Sequence, residues 1–301
     1  MRKLEYLSPS SLSKFENEPD YFYIYYLAEA HPPRPPQNEP MAIGSAIDAR
    51  IKAYLSEKHD LETLFEEQVE PQLHHWAYEN SEALFEKYKE SGALNDLVRE
   101  LQGSIIEPRY EFKVIGNVLV GGVVGEVPIM GKPDLYYVTQ DNLRVILDFK
   151  VNGFCAASKV SPRKGYIKIR PGGQQHKDAF VQNYKGVQIN ITHPFELIDT
   201  HWADQFATYG WQLGDDEFVV GVEQFACPGN QNVEGTRFAS FRGQVGKEHQ
   251  DRLRQRYARA WEIVNSDWIF RNLSYRESKE KQQHLESLAS NMTKENVNFV
   301  D

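Results

Sequence analysis

One stretch constrains the fold more than any other: the apolar run Val145-Ile146-Leu147 ends abruptly in Asp148-Phe149-Lys150. An unbroken aliphatic run of this kind reads as a strand buried on both faces. A charged pair closing such a strand is costly to bury unless it has a task. Thirteen residues separate Asp148 from Asp134, in Gly131-Lys132-Pro133-Asp134, and Thr139-Gln140-Asp141-Asn142 lies between as a turn. Gly131 to Val138 and Leu143 to Lys150 are therefore expected to pair antiparallel. Asp134 then falls across from Asp148 or its neighbour.

Directly opposed residues have Cβ atoms roughly 4.5–5.5 Å apart. Two carboxylates that close repel unless a cation sits between them. Both are hard oxygen donors, which suits Mg²⁺ or Mn²⁺. Asp148 and Lys150 share a face, whereas Phe149 points into the core and offers its main-chain carbonyl to a metal shell. Two acids, a hard cation and a lysine form a sufficient minimal set for phosphodiester hydrolysis: charge neutralisation, water activation and leaving-group stabilisation. On its own Asp-X-Lys is a weak pattern, and an ordinary surface ion pair is its plainer reading.

Ser8-Pro9-Ser10-Ser11 marks a helix start, with Ser8 as N-cap and Pro9 in the first turn, and Leu12 to Ala30 reads as helix. Five prolines between His31 and Pro40 exclude helix or central strand there. Met41 to Glu57 is helical, with Ile43, Ile47, Ile51 and Leu55 every fourth residue. Leu61 to Gln102 reads as two helices broken near Gly92. Tyr110 to Val114 and Val118 to Val124 read as strands. Later come a helix over Trp202 to Leu213, strands over Phe218 to Cys227 and Arg237 to Arg242, and a helix over Lys247 to Phe270. On that helix Arg252, Arg256 and Arg259 read as a solvated face. The polar end from Lys279 is expected to fray.

The formal net charge is −9, which at first argues against a nucleic-acid partner. The distribution changes that. Ser56 to Glu100 holds twelve acidic and four basic residues; Lys150 to Lys177 holds seven basic residues and no acidic one. A basic stretch of that kind can hold a phosphate backbone, a solvated loop being the plainer alternative. Lys159, Arg163, Lys164, Lys168, Arg170 and Lys177 are the candidate DNA contacts, with Tyr166 available for base stacking. The two cysteines, Cys155 and Cys227, are too few for a disulfide framework, a four-cysteine zinc site or an iron–sulfur cluster. No apolar run reaches membrane-spanning length, and Met1 to Ser8 lacks the apolar stretch of a secretory leader, so a cytoplasmic location is expected.

Gly131-Lys-Pro-Asp134, Ile146-Leu-Asp-Phe-Lys150 and Gln205-Phe-Ala-Thr-Tyr209 together resemble the G-x-x-D, (D/E)-x-K and Q-x-x-x-Y motifs of the PD-(D/E)XK nuclease superfamily, in its RecB-like and lambda-type phage exonuclease branch. Leu7 to Phe15 and Ile43 to Asp48 resemble that branch's opening helices, so the likeness spans roughly residues 7 to 270. It implies an α/β fold: a restriction-endonuclease-like core with a central mixed β-sheet flanked by helices. It implies one nuclease domain over 1–301, divided into a helical N-terminal region (1–105), the catalytic sheet (106–150), a long basic insertion (151–200) and the Q-x-x-x-Y helix with late strands and C-terminal helix (201–301). The implied catalytic residues are Asp134, Asp148, Lys150, Gln205 and Tyr209. The implied ligands for Mg²⁺ or Mn²⁺ are Asp134, Asp148, the Phe149 carbonyl, Asp48 and Glu111, with Glu126 a rival to Glu111. Asp48 stands where many relatives have a ligating His. Gln205 and Tyr209, four apart, lie on one helix face.

The implied activity is a DNA exonuclease of recombination, repair or phage DNA processing, working in the host cytoplasm if phage-encoded. A structure- or sequence-dependent endonuclease, or a non-catalytic DNA-binding protein on the same fold, are the alternatives. DNA is the implied partner, with a recombination or single-strand-annealing protein as a second one. Lambda-type relatives form rings around DNA, which leaves an oligomer open.

Overall fold

A computed structural model of the chain describes residues 1–56, 58–118, 127–157, 182–184, 187–189, 195–197, 199–214 and 217–297. The candidate DNA contacts Lys159, Arg163, Lys164, Tyr166, Lys168, Arg170 and Lys177 lie outside the described residues, as does Glu126.

The first helix starts where its caps dictate. Ser8 and Ser11 exchange side-chain to backbone hydrogen bonds, at 2.7 and 3.2 Å, at the head of α1 (Pro9–Asn17). The single helix expected over Leu12 to Ala30 is interrupted. Pro19 has no N–H and starts a separate α2 (Pro19–Phe22), which widens into a π-type turn over Tyr23–Leu27. After the proline-rich connection, the Asn38 side chain caps α3 (Glu39–Leu55) through the Met41 N–H at 3.1 Å. The acidic region forms three helices where two were expected: α4 (Leu61–Gln68), α5 (His74–Glu90) and α6 (Ala93–Gln102). Gly92 takes φ +83 between the last two, as its lack of a Cβ allows. The unforeseen break falls at Pro71.

The strands are β1 (Arg109–Tyr110), β2 (Val114–Val118), β3 (Val127–Gly131), β4 (Leu135–Val138), β5 (Arg144–Asn152), β6 (Gln182–Tyr184), β7 (Val187–Ile189), β8 (Val219–Ala226) and β9 (Arg237–Gly243). The strand expected over Tyr110 to Val114 is split at Glu111, whose φ of +44 turns the chain out of the sheet. The strand expected over Gly131 to Val138 is split too. Gly131 closes β3, which pairs with β2, and β4 begins only after Pro133. A five-stranded mixed sheet runs β1-β4-β5-β8-β9. Its β5–β8 pair is parallel and its other pairs are antiparallel. A parallel pair needs a crossover, and α7 (Thr200–Gln212) lies within it.

Alternation along the strands sends side chains to two helical layers. Tyr136, Ile146, Val220 and Val222 pack with Phe206 of α7 and with Leu253 and Tyr257 of α8 (Lys247–Val264). Leu135, Tyr137, Val145, Leu147 and Phe149 pack with Ile43, Ile47 and Ile51 of α3 and Leu84 of α5. The chain does not fray after Lys279: α9 (Tyr275–Val297) buries Leu285 and Ala289, and Glu286 accepts hydrogen bonds from the Tyr23 hydroxyl (2.9 Å) and the Glu29 N–H (3.0 Å). Among the described residues no helix is long and apolar enough to cross a membrane.

On the α5–α6 side, a buried ion network ties β8 and β9 to the helices. Arg242 Nη2 donates to Glu223 Oε1 and to Glu100 Oε2, each at 2.8 Å. The Ser240 and Tyr88 hydroxyls donate to Glu223 Oε2 at 2.6 and 3.2 Å, and Tyr137 reaches Glu100. Burial pushes the Glu223 carboxyl up despite Arg242, so an unpaired Glu223 would be strongly unfavourable. Removing one partner of a buried pair costs about 3–5 kcal/mol, whereas apolar replacement of the whole set is often neutral. Arg242→Met is expected to lose that much in urea denaturation at pH 7. Arg242→Met combined with Glu223→Gln, which takes away the stranded charge, recovers a measurable part of it.

Candidate active site

The site forms where the β4–β5 register runs off the end of β4. Leu135 pairs with Leu147, so the next position sets Asp134 beside Asp148. Asp134 Oδ2 accepts the Phe149 N–H at 3.0 Å, which locks the carboxylate against the facing strand. The Phe149 ring is buried in the core on the α3 side, as alternation requires. Asp148 is 1% exposed. Lys150, two residues on, projects to the same face and pairs with Asp148 Oδ2.

From Lys150 the polar row continues onto α7. Lys150 Nζ donates to Gln205 Oε1 at 3.1 Å, and Gln205 Nε2 donates to the Tyr209 hydroxyl at 2.8 Å. Gly131 makes this approach feasible. A Cβ there would meet Tyr209 Cδ1 and Gln212 Oε1 at 2.4 Å each. The glycine thus admits the tyrosine ring against β3. The far side of α7 is clamped by Asp204, which meets His249 Nε2 at 2.8 Å and Arg256 Nη1 at 2.7 Å. Arg256 also makes a bidentate pair with Glu16 of α1, at 2.8 and 2.6 Å. Arg256 therefore leaves the solvated face expected for it and becomes a strut between three helices.

Asp48 enters from α3. Its Oδ2 is taken by Lys52, one turn on, while its Oδ1 is buried without a hydrogen-bond partner. Asp148 Oδ2 is likewise buried and receives no hydrogen bond, although the Lys150 ammonium lies in ion-pair contact with it. Glu111 is drawn aside. Its Oε1 meets Lys52 at 3.0 Å and Lys132 at 2.9 Å, and its Oε2 accepts from Gln68 Nε2 at 3.2 Å.

The electrostatics follow from this crowding. Burial, then the Asp148 and Asp48 carboxylates, hold the Asp134 carboxyl well above the usual range. Burial raises Asp48 to about 6, against the pull of Lys52. Burial would depress Lys150, but Asp148 and Asp134 outweigh it and keep the ammonium charged. For Glu111 burial is outweighed by Lys132 and Lys52, and its carboxyl sits low. Burial, with Asp148 next, raises the Tyr209 phenol. As the side chains stand, no three His, Cys, Asp or Glu groups among the described residues are gathered in a metal-holding geometry. The donor chemistry nonetheless fits a hard divalent cation. Asp134, Asp148 and Asp48 repel one another through buried oxygens, two of which accept no hydrogen bond.

The five residues expected at the catalytic centre are thus brought together, and Asp48 reaches them. Glu111 lies at the edge, committed to lysines. Sequence reasoning missed Lys52 and the Asp204 clamp. The Asp48–Lys52 spacing of four on a helix was a usable signal for the first. The partners of Asp204 come from remote helices and left none.

No curated protein matches the chain. Among solved structures, the crystal structure of SSO0001 aligns at 10% identity over 85% of this chain and 90% of that one, with a TM-score of 0.29. The sequence model of the PD-(D/E)XK nuclease superfamily matches residues 6–158, which include Asp48, Glu111, Asp134, Asp148 and Lys150 but end before Gln205. That match spans just over half of the 301 residues, and the chain belongs to the PD-(D/E)XK nuclease superfamily.

Proposed function

We propose that the chain is a Mg²⁺- or Mn²⁺-dependent DNA exonuclease of the RecB-like and lambda-type branch, acting in recombination, repair or phage DNA processing. The single observation that carries the reading is the convergence of Asp134 and Asp148 beside Lys150, with Lys150 joined through Gln205 to Tyr209. In this reading Asp134, Asp148 and Asp48 would hold the cation, with the Phe149 carbonyl as a further oxygen donor. The bound ion would neutralise the phosphate, acidify a water and stabilise the leaving oxygen. Lys150, kept charged by its two acids, orients the attacking water and offsets charge developing on the phosphate. Gln205 fixes the ammonium from the side, and Tyr209 fixes Gln205. The basic stretch that holds Lys159, Arg163, Lys164, Tyr166, Lys168, Arg170 and Lys177 supplies cations for the DNA phosphates and an aromatic ring for base stacking.

The test is digestion of 5′- and 3′-labelled linear duplex and single-stranded DNA with Mg²⁺, beside closed circles. Progressive shortening of linear DNA with circles left intact is expected, and efficient cutting of circles overturns the exonuclease reading. Asp148→Ala and Lys150→Ala are each expected to lower kcat by about 10²–10³-fold, the scale of removing one preorganised charge-stabilising group. Activity equal to the parent in both variants would refute the site.

Gly131→Ala should displace the Tyr209 ring and, through Gln205, the Lys150 ammonium. Overpacking costs about 1–3 kcal/mol, so the variant folds. A small misplacement near the chemistry can cost about 10²-fold in rate, so kcat is expected to fall while DNA affinity in Ca²⁺ stays near that of the parent.

The raised Asp48 carboxyl gives a pH signature. Its folded value of about 6 exceeds the ordinary 3.8, so the native state binds the proton more tightly than the unfolded chain. Without metal, its contribution to stability is therefore lost as pH rises from about 4 to about 6. A cation needs the carboxylate, so metal affinity rises over the same window. Relative to Asp48→Asn, the metal-free parent should lose Tm across pH 4–6.5. Its Mn²⁺ affinity should climb more steeply there, as read by differential scanning calorimetry and titration calorimetry.

A further inference from the structure

Lys52 is 1% exposed, in the middle of the molecule, and its ammonium bridges Asp48 Oδ2 and Glu111 Oε1. A buried ammonium is costly unless paired, and here both partners are acids that the site would otherwise offer to a metal. The oxygens are divided accordingly. Asp48 keeps only Oδ1 free of partners, and both Glu111 oxygens are occupied, by Lys52, Lys132 and Gln68. The Glu111 N–H donates to the Asp134 carbonyl at 3.1 Å, so Glu111 stands beside Asp134, and it is the lysines, not distance, that engage its carboxylate.

We propose that Lys52 stands in for a second metal ion, so that the site takes one divalent cation among Asp48, Asp134 and Asp148, with Glu111 as the counter-ion of Lys52 and not a ligand. The proposal rests on the metal-dependent reading above. Charge supports it. Four carboxylates (Asp48, Glu111, Asp134, Asp148) face three ammonium groups (Lys52, Lys132, Lys150), a balance of −1. One divalent ion already reverses that balance, and a second would leave the site strongly positive. Geometry supports it as well. Two-metal sites hold their ions about 3.5–4 Å apart and need oxygens for both, whereas Lys52 already occupies the oxygens that would face the second.

The experiment counts Mn²⁺ bound to the full chain at pH 7.5, by titration calorimetry and by loss of the free-ion electron paramagnetic resonance signal. The parent should bind one ion, and Lys52→Arg should also bind one. Lys52→Met frees Asp48 Oδ2 and leaves Glu111 held only by the exposed Lys132 and by Gln68, contacts that a divalent ion displaces, so it should bind two. Lys52→Met combined with Glu111→Gln should return to one. Two ions in the parent, or one in a Lys52→Met protein whose circular dichroism is native, overturns the proposal. Should Lys52→Met fail to fold, the parent and Lys52→Arg counts decide: one ion in each supports the assignment and two in either ends it. A parent that binds no Mn²⁺, or an Asp148→Ala protein that binds it as the parent does, overturns instead the metal-dependent reading on which the assignment stands.

Discussion

The β4–β5 register forces two carboxylates together at the end of a buried strand, and much of the molecule is arranged around that repulsion. Asp134 is restrained by a backbone amide of the facing strand and Asp148 by the lysine two residues on. Asp48, arriving from a helix, adds to the repulsion and carries its own lysine. Ammonium groups thus alternate with acids along the polar row. Such an arrangement is poised to exchange charge, because Asp48 Oδ1 and Asp148 Oδ2 are buried and accept no hydrogen bond.

The other side of the sheet makes the contrast. Arg242, Glu223, Glu100, Ser240, Tyr88 and Tyr137 are also buried and charged, yet each carboxylate oxygen there accepts a bond from a named donor. That network is closed and fixes β8 and β9 to α5 and α6. The site on the α7 side is open: it retains buried oxygens without hydrogen bonds. Among buried polar groups, incomplete satisfaction marks the place where a ligand is accommodated, and complete satisfaction marks a place that only holds shape.

The central hairpin was legible because an apolar run, a turn and two charged residues all fall within twenty residues, and local pattern suffices there. The helices of the N-terminal half were legible in type but not in their breaks. Pro19 and Pro71 each begin a new element, and a periodic apolar pattern runs across both without notice. The last helix was misread because its polar sequence conceals a narrow buried stripe, Leu285 and Ala289, and a tertiary anchor at Glu286. At the site, Asp134, Asp148, Lys150, Gln205 and Tyr209 could be picked out because motif spacing encodes them. The commitments of Glu111 depend on lysines from α3 and from the β3–β4 connection and on Gln68 of α4, partners remote from it in sequence.

The contact between Gly131 and Tyr209 joins two motifs far apart in the chain through a gap with no spare volume. Neither position can drift alone. A larger residue at 131 is tolerated only if the ring at 209 has already shrunk, and a smaller ring leaves a void beneath the hairpin until 131 fills it. The two positions are therefore expected to behave as one heritable unit, with intermediates less fit than either end state, so that a chance pairing of compatible changes is needed to move between them.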